Sequence, residues 1–121
     1  MIQRYTNLQI HDNSNIEKIR CFNIPGGSFI KTAHLNQLIT CSIRKKKPNS
    51  PIKKKVVKAI VVATKKPKKR LGGEFVKFPY NKALIKAEDS PFYATVVDLP
   101  IDVLVRKKMG PAISSIYVNY A

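Results

Sequence analysis

The stretch VVKAIVVAT at 56–64 limits the possible folds more than any other part of the chain. It is β-branched and almost continuously apolar. A half-exposed strand alternates, so a run of this kind reads as a strand covered on both sides. Its neighbours also read as strands. LITCSI at 38–43 alternates, with Ile39, Cys41 and Ile43 on one face and Leu38 and Thr40 on the other. LQI at 8–10 runs into the turn cluster HDNSN, and IEKIRCFNI at 16–24 ends at Pro25-Gly26-Gly27. GGEFVKF at 72–78 is a turn followed by alternation, and ALI at 83–85 follows a turn at 79–81. Short strands at close spacing, joined by Gly, Pro and Asn turns, predict a mainly β chain closed into a small barrel. One helix is expected, at PIDVLVRKK from Pro100. Proline stands near its start, and the cations at its end suit the helix dipole.

With 121 residues, the chain is expected to form a single domain over 1–121. Its 44% hydrophobic and 25% charged residues are those of a globular protein. Its net charge of +16 is unusual, and it is concentrated. Residues 44–70 hold 13 cations and no acid, while the other 94 residues share 10 cations and all seven acids. A nearly neutral body with one intensely basic region favours a nucleic-acid partner, with an anionic membrane second. The longest apolar run, AIVVA at 59–63, is far short of the roughly 20 residues that cross a bilayer. The opening residues show neither a secretory nor a transit-peptide pattern, and no membrane partner is expected. Abundant Lys, Asn, Ile and Tyr beside only five Arg points to an AT-rich genome.

RKKKPNSPIKKK at 44–55 connects two predicted strands. Pro48 and Pro51 stop the ladder and set a bend. Arg44, Lys45, Lys46, Lys47, Lys53, Lys54 and Lys55 then line a projecting basic ribbon. A second basic loop, at the far end of the 56–64 strand, carries Lys65, Lys66, Lys68, Lys69 and Arg70. Lysine is a point charge suited to phosphates and poor at reading base edges. No aromatic interleaves with these cations, which disfavours stacking on single strands. Binding to the backbone and shape of structured RNA is expected.

No catalytic group stands out. Glu88 and Asp89 are the one adjacent acidic pair, next to a loop-forming Ser-Pro, and no spacing sets two carboxylates for acid–base work. Gly26-Gly27-Ser28 lacks the lysine spacing of a phosphate loop. No enzyme and no cofactor are expected. Cys21 and Cys41 read as small buried hydrophobes. A Cys21–Cys41 disulfide is one alternative. A zinc site with His11 or His34 is another, but zinc needs clustered ligands and these are scattered.

The chain resembles the universal L-fourteen family of large-subunit ribosomal proteins, in its bacterial and organellar form. MIQ at 1–3, DNS at 12–14, GGS at 26–28 and VVKAIVVATK at 56–65 match that family along most of the chain. The family's signature is matched in spacing by Ala59, Ile60, Val61 and Val62, then Gly72-Gly73, Phe78 and Asn81. Gly72 stands where Asp, Asn or Ser is usual, and Leu84 where Val is usual. Ala63 replaces a usual arginine, Lys54-Lys55 a usual Gly-Asp, and IYVNYA the usual ending.

The resemblance implies a five-stranded β-barrel with a projecting β-ribbon (44–55) and a C-terminal segment (92–121) bearing one or two short helices. It implies a structural constituent of the large ribosomal subunit that binds large-subunit rRNA. It also implies an inter-subunit bridge to small-subunit rRNA, contacts with neighbouring large-subunit proteins, and docking of ribosome silencing factor. Thr95, Arg106, Lys107 and Lys108 align with the part facing the small subunit. Tyr117 and Tyr120 are amphipathic anchors suited to a neighbouring protein. Alternatively, Ile113, Ile116 and Val118 complete the barrel's own packing. The AT-rich bias and the drift from the family's pattern suggest a mitochondrial gene, with a plastid or AT-rich bacterium next. Two other classes compete: a free OB-type barrel that binds structured RNA or single-stranded nucleic acid outside the ribosome, and a cationic enzyme or secreted effector.

Overall fold

A computed structural model describes residues 2–10, 16–26, 30–48, 55–69, 72–73 and 75–86. Nine strands run through them: β1 (Ile2–Gln3), β2 (Asn7–Gln9), β3 (Ile16–Asn23), β4 (Thr32–Ala33), β5 (Leu38–Lys46), β6 (Val56–Ala63), β7 (Lys68–Lys69), β8 (Phe75–Val76) and β9 (Lys82–Ile85). Five of them close a barrel in the order β2-β3-β5-β6-β9. The pairings β2–β3, β3–β5, β5–β6 and β6–β9 are antiparallel. The seam is different: β2 meets β9 in parallel at Gln9 and Lys82. There the Gln9 N–H donates to the Asn81 carbonyl at 2.9 Å. Closure removes the free sheet edges that would otherwise invite further pairing. The expected five-stranded barrel is therefore the fold of this chain. Among the described residues there is no helix, and the helix expected from Pro100 lies outside them.

Alternation explains which side chains fill the barrel. Ile39 and Cys41 of β5, Val57, Ala59 and Val61 of β6, and Ala83 and Ile85 of β9 all enter one core with Leu8 of β2. β3 departs from strict alternation. Its register shifts on both sides of Lys18, a bulge that turns both Ile16 and Ile19 inward and leaves Lys18 exposed. The β1–β4 pair, Ile2 opposite Ala33, adds two more buried residues to that core. Each fully buried Ile, Leu or Val contributes about 1.5–3 kcal/mol. This is how a chain with so much like charge holds together.

β6 is covered on both sides, as its composition requires. Ile60 and Val62 are buried although they point away from the barrel interior, and so is Leu84 of β9. One turn, at 35–36, leads into β5. The Asn36 N–H donates to the Val61 carbonyl at 2.9 Å, and the His34 N–H to Gln37 Oε1 at 2.7 Å. Asn36 takes a left-handed φ of 67°, a conformation that asparagine adopts more readily than most residues.

Candidate nucleic-acid interface

The alternation of β5 ends at Ile43, and four cations follow. Arg44, Lys45, Lys46 and Lys47 are all exposed. The bulge in β3 sets their register: Lys45 lies opposite Lys18, and Lys46 opposite Ile16. Arg44, Lys45 and Lys46 thus belong to β5, and two of them lie beside β3 rather than standing clear of the barrel. Glu17 Oε2 lies 3.2 Å from Lys45 Nζ. Among the described residues Glu17 is the one acid, so positive charge dominates this end of the barrel. Lys55 arrives at the same end, where its carbonyl accepts the Ile43 N–H at 2.9 Å. Lys53 and Lys54 lie outside the described residues.

The second basic group leaves the other end of β6. Eight residues of strand, rising about 3.3 Å each, separate the two groups by roughly 26 Å. Lys65 and Lys66 are exposed. Side-chain oxygens fix their backbone: the Lys65 N–H donates to Asn81 Oδ1 at 2.9 Å, and Thr64 Oγ1 donates to the Lys66 carbonyl at 3.3 Å. The chain then forms a short antiparallel pair, with Lys68 opposite Val76 and Lys69 opposite Phe75. Arg70 lies outside the described residues. At the base of this pair the Phe78 N–H donates to the Thr64 carbonyl at 3.0 Å, and the Phe78 ring is buried.

This geometry explains several positions in the signature spacing. Ala59, Ile60, Val61 and Val62 are the buried body of β6. Gly73 takes a left-handed φ of 81°. Phe78 and Asn81 hold the two sides of the second basic segment together at its base. Asn81 serves through an acceptor oxygen on a short side chain, which asparagine and threonine both offer.

Sequence reasoning passed over three residues. Lys18 joins the first basic group because a bulge places it opposite Lys45. Lys58, exposed on β6, puts a further cation between the two groups. Phe75, 70% exposed, is the register partner of Lys69 in the second basic segment. The turn at Gly72-Gly73 followed by EFV was the available signal for this last pairing. Thr95, Arg106, Lys107, Lys108, Tyr117 and Tyr120 lie outside the described residues. Among the described residues no three His, Cys, Asp or Glu side chains are grouped to hold a metal ion.

The arrangement suits a partner that presents phosphates at two places on a rigid surface. Exposed lysines attract phosphate oxygens without fixing a base, and the barrel keeps the two groups at a constant separation. The family model for ribosomal protein L14p/L23e matches residues 1–119.

Proposed function

Because the chain belongs to the ribosomal protein L14p/L23e family, a structural family of the large ribosomal subunit and not an enzyme family, we propose that it holds large-subunit rRNA through the basic groups at the two ends of β6. The observation that carries this reading is the placement of Arg44, Lys45, Lys46, Lys47 and Lys55 at one end and Lys65 and Lys66 at the other, all exposed. Lys53, Lys54, Lys68, Lys69 and Arg70 extend the same two groups in sequence. Folded RNA offers phosphates at fixed separations, and a rigid barrel with two cationic ends matches such a target.

The resemblance supports a finer reading. Thr95, Arg106, Lys107 and Lys108 contribute to a bridge with small-subunit rRNA, and Tyr117 and Tyr120 pack on a neighbouring large-subunit protein. Ribosome silencing factor docks on the same C-terminal segment. Composition and drift from the family's pattern support a mitochondrial ribosome as its location.

Sedimentation tests the central reading. Nearly all of the tagged chain should travel with large-subunit particles, even in moderately high salt. A chain that stays in the soluble fraction would mark a free nucleic-acid-binding barrel instead. On intact joined ribosomes, crosslinks from 106–108 to small-subunit rRNA and from 113–121 to another protein are expected. Their absence would remove the bridge and the neighbour in turn.

A further inference from the structure

Cys21 and Cys41 are direct cross-strand partners in the β3–β5 ladder. Both are fully buried in the barrel core, and both are free thiols. Their backbones show which kind of pair they form. The Cys21 N–H donates to the Thr6 carbonyl, and its own carbonyl accepts the Tyr5 N–H, so both groups point to the β2 side. On β5 the Ile43 N–H donates to Lys55, so residues of the same parity, Cys41 included, direct their backbone toward β6. Neither cysteine bonds across β3–β5. They therefore occupy a non-hydrogen-bonded antiparallel site, where opposed Cα atoms approach to about 4.5 Å and side chains come closest. Disulfides span Cα separations of roughly 4.4–6.8 Å.

We propose that Cys21 and Cys41 form a redox modification site, a dithiol that a low-molecular-weight disulfide converts to an intramolecular bond joining β3 to β5. The Cys21 thiolate attacks one sulfur of the small disulfide. A mixed disulfide forms at Cys21, and one small thiolate leaves. Cys41, having lost its proton to solvent, then attacks the Cys21 sulfur and expels the second small thiolate. Both small thiolates take up protons. Two protein thiols are oxidised, and one small disulfide is reduced to two thiols.

The order of attack follows from the pair's own chemistry. Facing each other across the ladder, the two thiols split: the neighbouring Cys41 pulls the Cys21 pKa down, and Cys21 pushes that of Cys41 up. Burial opposes ionisation of both, and Arg4 assists Cys21. Burial also means that exchange waits for local opening, for which the register shift between Cys21 and Asn23 supplies a weak point in the ladder. Re-pairing of the strands then brings Cys41 onto the mixed disulfide.

The native full-length chain, equilibrated in glutathione buffers of graded potential, alkylated and mapped by mass, gives the test. The expected result is one two-electron transition that yields a Cys21–Cys41 cross-linked peptide. The oxidised chain should then unfold at higher denaturant, with a folding equilibrium constant raised on the order of 10²-fold by closing a loop of about 20 residues. Free thiols in the most oxidising buffer, or an oxidised chain that unfolds more easily, would overturn the proposal. In the Cys21→Val chain Cys41 should stay unmodified in the same buffers, because burial opposes its ionisation. A glutathione adduct on Cys41 there would overturn the order of attack.

Discussion

Glu17 holds Lys45 across the bulge in β3, with 3.2 Å between Oε2 and Nζ. Both side chains are well exposed, so the pair contributes only about 0.2–1 kcal/mol to stability. Its larger effect is on binding, because the carboxylate competes with phosphate for the same ammonium. Glu17→Gln should shift urea unfolding by less than about 1 kcal/mol. The same change should tighten rRNA binding and steepen the log-affinity against log-salt plot by up to roughly 0.7–0.9. A large loss of stability would show instead that the pair holds β3 in register.

Replacing Lys53, Lys54 and Lys55 together by Gln should flatten that salt plot by about 2 units if all three meet phosphates. Lys65 and Lys66, changed together, should flatten it by about 1.5 units. Filter binding to purified large-subunit rRNA at several salt concentrations measures both. A slope that does not change would make the lysines concerned a solvated face.

The glycine turns should rank in a definite order. Gly26 has a φ of 131°, and a Cβ there would lie 3.1 Å from Ile30 Cγ1. Gly26→Ala combines backbone strain with a close contact and should cost about 1–3 kcal/mol. Gly73 has a φ of 81° but open space around it, so Gly73→Ala should cost about 1 kcal/mol. Gly72→Ala meets nothing within 4 Å and should be tolerated. Denaturant midpoints of the three variants check the ranking.

Tyr80 gives the fold an alkaline limit. Burial holds its phenol above the ordinary value near 10, with the ring tilted against Phe78 at 5.9 Å between centroids. The unfolded chain ionises first as pH rises, so it binds fewer protons than the folded chain and becomes favoured. Stability should be unaffected by this group below pH 10 and should fall as pH climbs from there through the folded value. Tyr80→Phe should remove that part of the alkaline loss, measured by unfolding at several pH values alongside tyrosinate absorbance.

The barrel was legible because its strands carry local patterns. Val57, Ala59 and Val61 alternate inward on β6, and the apolar outer residues Ile60 and Val62 announce a second covered face. Lys82 was not legible. A lysine after Asn81 reads as exposed, yet it is fully buried, with its ammonium 5.9 Å from the centre of the Tyr80 ring. What buries it is its position at the seam and at the end of β6, a long-range fact that no window of sequence contains. The contact between Glu17 and Lys45 was hidden for a related reason. Strict alternation gives no hint of the register shifts beside Lys18 that bring β3 and the basic end of β5 into this alignment. The cations themselves were plain in the sequence. Their separation by the length of β6 followed only once that strand had definite ends.

The seam between β2 and β9 also sets a schedule. Gln9 and Lys82 are 73 positions apart, and the barrel has no closed form until both exist. At about 5–20 residues per second, a ribosome making this chain needs roughly 4–15 s between them. Through that interval the nascent chain carries an open curl of strands with unpaired edges and an already synthesised cluster of lysines. Cooperative folding therefore waits until residue 85 has cleared the exit tunnel, and until then the chain depends on whatever shields its edges in the crowded space outside.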